Sequence, residues 1–96
     1  MDPVGVRITD MAKVTIRYWA AAKDAAGMPE ETVEAETLAS ALAVVLAGRP
    51  SPGQLRQVID RSSFLVNALP VRRAAAAETL LQDGATIEVL PPFAGG

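Results

Sequence analysis

The chain has 96 residues, half of them apolar, with a net charge of −2, no cysteine and no histidine. Without Cys there is no disulfide framework, zinc–thiolate site or thiol nucleophile; without His the commonest general base and metal ligand is missing. The length fits one domain with a real core, although 18 of the apolar residues are alanines, which leaves few large anchors.

The nine basic residues are scattered and Arg72-Arg73 is the only adjacent pair, so no nucleic-acid footprint is expected. No apolar run nears the roughly 20 residues of a membrane span, and Met1 to Asp10 lacks the apolar core of a signal peptide. A cytoplasmic domain is the expectation.

Residues 1–12 read as a flexible N-terminal extension and residues 13–96 as the folded domain. In Lys13 to Trp19, Val14, Ile16 and Tyr18 alternate with Thr15, Arg17 and Trp19, the period of a strand. Tyr18 and Trp19 then point to opposite faces, one to the core and one toward a partner. Ala20 to Ala26 predicts a short helical turn stopped by Gly27. Glu31 to Glu36 alternates again, with Val33 and Ala35 on one face, and predicts a half-exposed strand whose acidic face discourages edge pairing.

Thr37 is an N-cap candidate, and Leu38, Ala41, Leu42, Val45 and Leu46 mark the clearest helix, ended by Gly48 and Pro50. Ser51-Pro52-Gly53-Gln54 has the form of a capping box opening a second helix buried through Leu55, Val58 and Ile59. Ser63 to Ala68 predicts a strand bounded by Pro70. Ala74 to Ala77 is either a helical turn or a loop. Gln82-Asp83-Gly84 is a turn, and Ala85 to Leu90 a last strand with Ile87 and Val89 on one face. Two strands before one dominant helix and more after it predict an α+β domain with the helix across one face of a sheet.

Chemistry concentrates at the end of the sequence. Pro91 and Pro92 forbid continuation of a ladder and hold an extended exit. Pro91 to Gly96 then reaches at most about 20 Å, at roughly 3.3–3.6 Å per residue. Gly95 and Gly96 lack a Cβ and fit a channel too narrow for other residues. An α-carboxylate on Gly96 is ionised at neutral pH, so it needs activation, for instance as an acyl adenylate, before a nucleophile attacks. On the residues alone, an ordinary frayed terminus is the alternative. Phe93 lies past the Pro-Pro exit and suits a partner's pocket better than the main core. Arg72-Arg73 reads as a solvated pair, and the carboxylates at Glu30, Glu31, Glu34 and Glu36 as a solvated acidic surface rather than a metal site.

Three stretches resemble the MoaD family, the small subunits of molybdopterin synthase within the ubiquitin-like sulfur carriers that include ThiS. Trp19-Ala20 with Lys23-Asp24 and Gly27 is similar to the family's F-A-x-x-R-E-x-x-G. Asp83-Gly84 with Thr86 to Val89 is similar to its D-G-D-x-V turn and last strand. Leu90 to Gly96 is similar to its P-P-x-x-G-G end. A fourth stretch, Phe64 to Asn67, also resembles the family's V-N strand. Trp19, Lys23 and Asp24 stand where the family has Phe, Arg and Glu, and Lys lacks bidentate Arg geometry.

The resemblance implies a β-grasp fold and a carrier that binds no cofactor itself. A MoeB-like enzyme would use ATP to adenylate Gly96, and a sulfur donor would convert the adenylate to a thiocarboxylate. The tail would then enter a MoaE-like large subunit, in a heterotetramer, and give sulfur to the pterin precursor. Catalytic residues would lie on the large subunit. Gly96 would be the reacting site; Pro91, Pro92, Phe93, Ala94, Gly95, Trp19 and Lys23 would bind partners. The alternatives are a carrier for thiazole or cysteine biosynthesis, a ubiquitin-like modifier joined to lysines, or a plain binding module.

Overall fold

The computed structural model describes residues 11–92. Along the chain run β1 (Ala12–Tyr18), α1 (Ala21–Ala26), β2 (Glu30–Ala35), α2 (Leu38–Ala47), α3 (Gly53–Arg61), β3 (Ser63–Val66), β4 (Leu69–Val71), a 3-10 helix (Arg73–Glu78) and β5 (Thr86–Leu90). The strands form one mixed sheet in the order β2-β1-β5-β3-β4. The β1–β5 pair is parallel, with Thr15 opposite Thr86 and Tyr18 opposite Val89. The other three pairs are antiparallel. The expected α+β architecture is therefore present.

Alternation decides which face of the sheet is covered. Val14, Ile16 and Tyr18 of β1, Phe64 of β3, and Ile87 and Val89 of β5 are all buried. They meet Leu38, Ala41, Val45 and Leu46 of α2 and Leu55 and Ile59 of α3 in one core. The opposite face carries Lys13, Thr15 and Arg17 of β1 with Thr86, Glu88 and Leu90 of β5, all exposed or half-buried.

Local chemistry sets the helix ends. Gly27 adopts the left-handed conformation and its N–H donates to the Lys23 carbonyl, which closes α1 after one and a half turns. Thr37 caps α2: the Ser40 N–H donates to Thr37 Oγ1 at 3.1 Å, and the Thr37 N–H donates to Ser40 Oγ at 2.9 Å. The capping box expected at Ser51–Gln54 does not form. Pro52 itself is the N-cap residue, without a side-chain cap, and its carbonyl accepts the Arg56 N–H. Ser51 therefore stands one position too early to cap.

The single strand expected over Ser63 to Ala68 is a hairpin. Asn67 and Ala68 both have positive φ, at 52° and 69°, the signature of the two-residue turn that matches strand twist. Asn67 tolerates that region, and its Oδ1 accepts the Thr86 N–H at 3.0 Å, which ties the turn to β5. Pro70, taken as a boundary, lies inside β4 opposite Leu65. It is tolerated because β4 is an edge strand. The undecided Ala74–Ala77 stretch is the 3-10 helix, with Ala76 buried.

Ala68 is the one residue of this turn with neither a side-chain hydrogen bond nor a glycine's freedom. Ala68→Gly is expected to stabilise the fold by about 1 kcal/mol, which corresponds to a melting-point rise of about 4–8 °C for a domain of this size. Thermal unfolding followed by circular dichroism checks this.

Candidate functional site

The fold brings the end of the first strand beside the end of the last. Because β1 and β5 run parallel, Trp19 and Ala20, just past β1, lie next to Leu90 and Pro91 and line one apolar cleft with them. The Trp19 N–H donates to the Val89 carbonyl at 3.3 Å, extending the ladder by one bond past β1. Pro91 is buried and Pro92 exposed, so the chain leaves the sheet between them. Phe93, Ala94, Gly95 and Gly96 lie outside the described residues, as do residues 1–10 of the expected extension.

Tyr18 and Trp19 divide as strand parity requires. Tyr18 is 2% exposed and Trp19 is 41% exposed. The Trp19 indole is nevertheless held. Its Nε1–H donates to Glu88 Oε1 at 3.0 Å, and the Arg17 guanidinium lies 5.1 Å from its ring centroid. Ala20 follows with φ 50° and ψ −124°, a backbone conformation costly for any residue with a Cβ. Lys23 sits exposed on α1 and is not among the residues lining the cleft. The structure thus joins Trp19 to Pro91 and leaves Lys23 apart.

Nothing in the sequence marks Arg17, Ala20 or Glu88 as site residues. Alternation alone places Arg17 with Trp19, and Glu88 with Leu90. What is missing locally is the pairing of β1 with β5, which joins positions some 70 residues apart.

The other polar candidates have structural roles. Arg73 donates through one nitrogen to the Ile59 and Ser62 carbonyls, both at 2.8 Å, and stacks 5.1 Å from the Phe64 centroid. It closes the end of α3 while remaining exposed beside the exposed Arg72, so the expected solvated pair also carries a structural contact. Glu31 also departs from the solvated acidic surface expected of it. It lies on the core-facing side of β2, where it accepts from the Tyr18 hydroxyl and from Arg49 at 2.8 Å. Arg49 donates as well to the carbonyls of Val45 and Ala26, so one guanidinium binds the ends of α1 and α2 to the sheet. Burial above all, then the Glu31 hydrogen bond and charge, pushes the Tyr18 hydroxyl well above its ordinary range. Among the described residues no acidic cluster is built to hold a metal ion, and no helix is long and apolar enough to cross a membrane.

Comparison with known proteins agrees with this geometry. The ThiS family model matches residues 16–96. The solution structure of small archaeal modifier protein 1 from Methanosarcina acetivorans is 29% identical with a TM-score of 0.75, over 90% of this chain and 98% of that one. A putative molybdopterin converting factor subunit 1 from Pyrococcus furiosus is 20% identical with a TM-score of 0.69, over 85% and 99%. A complex of subunits 1 and 2 of the molybdopterin-converting factor from Helicobacter pylori matches at 23% identity and a TM-score of 0.63, over 88% and 99%. No curated protein matches significantly.

The mixed five-stranded sheet wrapped on a helix is the ubiquitin-like β-grasp fold, shared with this modifier and these converting-factor subunits. The chain belongs to the ThiS family of ubiquitin-like sulfur carriers.

Tyr18 is the only tyrosine, so its ionisation is directly visible. Tyrosinate absorbance is expected to appear only well above pH 10 in the native protein, and near the ordinary value of about 10 after unfolding. Since the folded pKa is raised, the stability linked to Tyr18 is complete below the unfolded value and lost as pH climbs toward the folded one. Tyr18→Phe therefore flattens the alkaline fall in stability. Arg49→Ala is expected to cost about 2 kcal/mol, because the pair with Glu31 is largely but not fully shielded from water; urea unfolding measures it.

Proposed function

We propose that the chain is the sulfur-carrier subunit of a molybdopterin synthase, and that the carboxylate of Gly96 is its reacting group. A single observation carries the reading: β5, hydrogen-bonded on both sides in the middle of the sheet, ends at Leu90 and leads directly into Pro91 and Pro92. A rigid platform therefore feeds a stiff exit, and the family match runs on to Gly96. A MoeB-like enzyme would transfer AMP from ATP to the Gly96 carboxylate. A sulfur nucleophile would then displace AMP and leave a thiocarboxylate. The tail would enter a large subunit, as subunit 1 meets subunit 2 in the Helicobacter pylori complex, and hand its sulfur to the pterin precursor.

Trp19 would meet the partner at the mouth of the channel, with Phe93 seated inside it. Lys23 would add a charged contact from α1. No side chain of the carrier has to act as base or nucleophile, in keeping with a sequence that holds neither His nor Cys.

A second reading rests on the 29% identity to an archaeal modifier protein. There the activated Gly96 would form an isopeptide bond with a lysine of a target protein. Thiazole or cysteine biosynthesis would change the destination of the sulfur and nothing in the carrier's chemistry.

Incubation with ATP, sulfide and the activating enzyme from the same genome tests these readings by intact mass. The exchange of one oxygen for sulfur on Gly96 is expected. No change under conditions that load a control carrier would sink the carrier reading, and lysine-linked adducts would favour the modifier. Adding one Ala after Gly96 is expected to abolish sulfur transfer without lowering the melting point.

A further inference from the structure

We propose that Glu88 is a positioning residue that presets Trp19 for the activating enzyme, the first protein to take the tail. The inference rests on the carrier reading above.

Glu88 stands at the centre of the open sheet face, in register with Arg17 of β1 on one side and Leu65 of β3 on the other. Its natural electrostatic partner is Arg17. Among the described residues, however, Arg17 pairs with Glu30, at 3.7 Å, and lays its guanidinium over the Trp19 ring. The Glu88 carboxylate takes the indole N–H instead. An indole that is 41% exposed and held from its edge and its face has fewer rotamers than an ordinary surface tryptophan.

This order returns little to the fold. The core contact at this point belongs to Tyr18, which is buried, and not to Trp19. Ala20 moreover holds a strained backbone immediately after Trp19, and such strain persists where a site must be shaped in advance. The beneficiary is the cleft between Trp19, Ala20, Leu90 and Pro91. Pro91 is both a wall of that cleft and the start of the exit, so a protein that encloses the tail up to its root has to cover it. The occupant is an apolar side chain of that protein at the mouth of its channel. A fixed indole lowers the entropy lost when it docks.

Trp19 is the only tryptophan, which makes its near-ultraviolet circular dichroism a clean report of its orientation. The test combines that signal with the KM for the carrier and the kcat of the activating enzyme in sulfur loading with ATP and sulfide. Glu88→Ala is expected to raise the carrier KM about fivefold, the loss of one hydrogen bond, with kcat unchanged and the Trp19 signal reduced. Glu88→Gln keeps an acceptor oxygen and should stay within about twofold of the parent in both measurements. Trp19→Ala should raise KM about thirtyfold, as for an aromatic anchor. An unchanged KM or an unchanged Trp19 signal in Glu88→Ala, or Glu88→Gln as defective as Glu88→Ala, overturns the proposal. A parent chain that takes no sulfur would instead bring down the carrier reading, and this inference with it.

Discussion

The parallel pairing of β1 with β5 is the constraint from which the rest of the structure follows. Parallel neighbours cannot be joined by a tight turn, so everything between Tyr18 and Thr86 has to cross over and return. The return builds the helical cover, the β3–β4 hairpin and the 3-10 helix. The pairing is reinforced at its start, where the Lys13 N–H donates to Asp83 Oδ1 and the Gly84 N–H to the Lys13 carbonyl. At its far end it sets Trp19 against Leu90 and Pro91. The exit and the aromatic beside it are thus one consequence of one register.

Cations finish what apolar packing begins. Arg49 closes the ends of α1 and α2 and holds Glu31 against the Tyr18 hydroxyl. Arg73 closes α3 and covers Phe64. Arg17 lies on Trp19. Each guanidinium spreads over an aromatic face while its nitrogens reach polar atoms elsewhere, a combination a lysine ammonium does not reproduce. In an alanine-rich chain with few bulky side chains, these contacts add packing area as well as charge.

Elements with a local cause were legible in the sequence. The alternation of Val14, Ile16 and Tyr18, the Thr37 cap, the Leu38–Leu46 stripe and the Gly27 stop all appear where their chemistry places them. The strand itself begins at Ala12, one residue before the expected start. Features with a remote cause were not legible. Pro70 reads as a breaker until β4 is known to be an edge. Ala68 carries no turn signal, because its left-handed backbone is imposed by the hairpin and by Asn67 bound to Thr86. Glu31 reads as one more surface carboxylate until Arg49, from the far end of α2, arrives beside it. The same holds for the site: Trp19 was visible as an aromatic at a strand end, whereas Glu88 acquires meaning only through pairing.

The position of β5 also bears on how the domain answers a pull. A strand at a sheet's edge can be peeled away one hydrogen bond at a time. β5 is bonded along both sides, to β1 and to β3, and its C-terminal end leads into the tail. Tension applied there runs along the strand and loads both ladders in shear together. The strand that leads into Pro91 is therefore held by two ladders, where an edge strand is held by one.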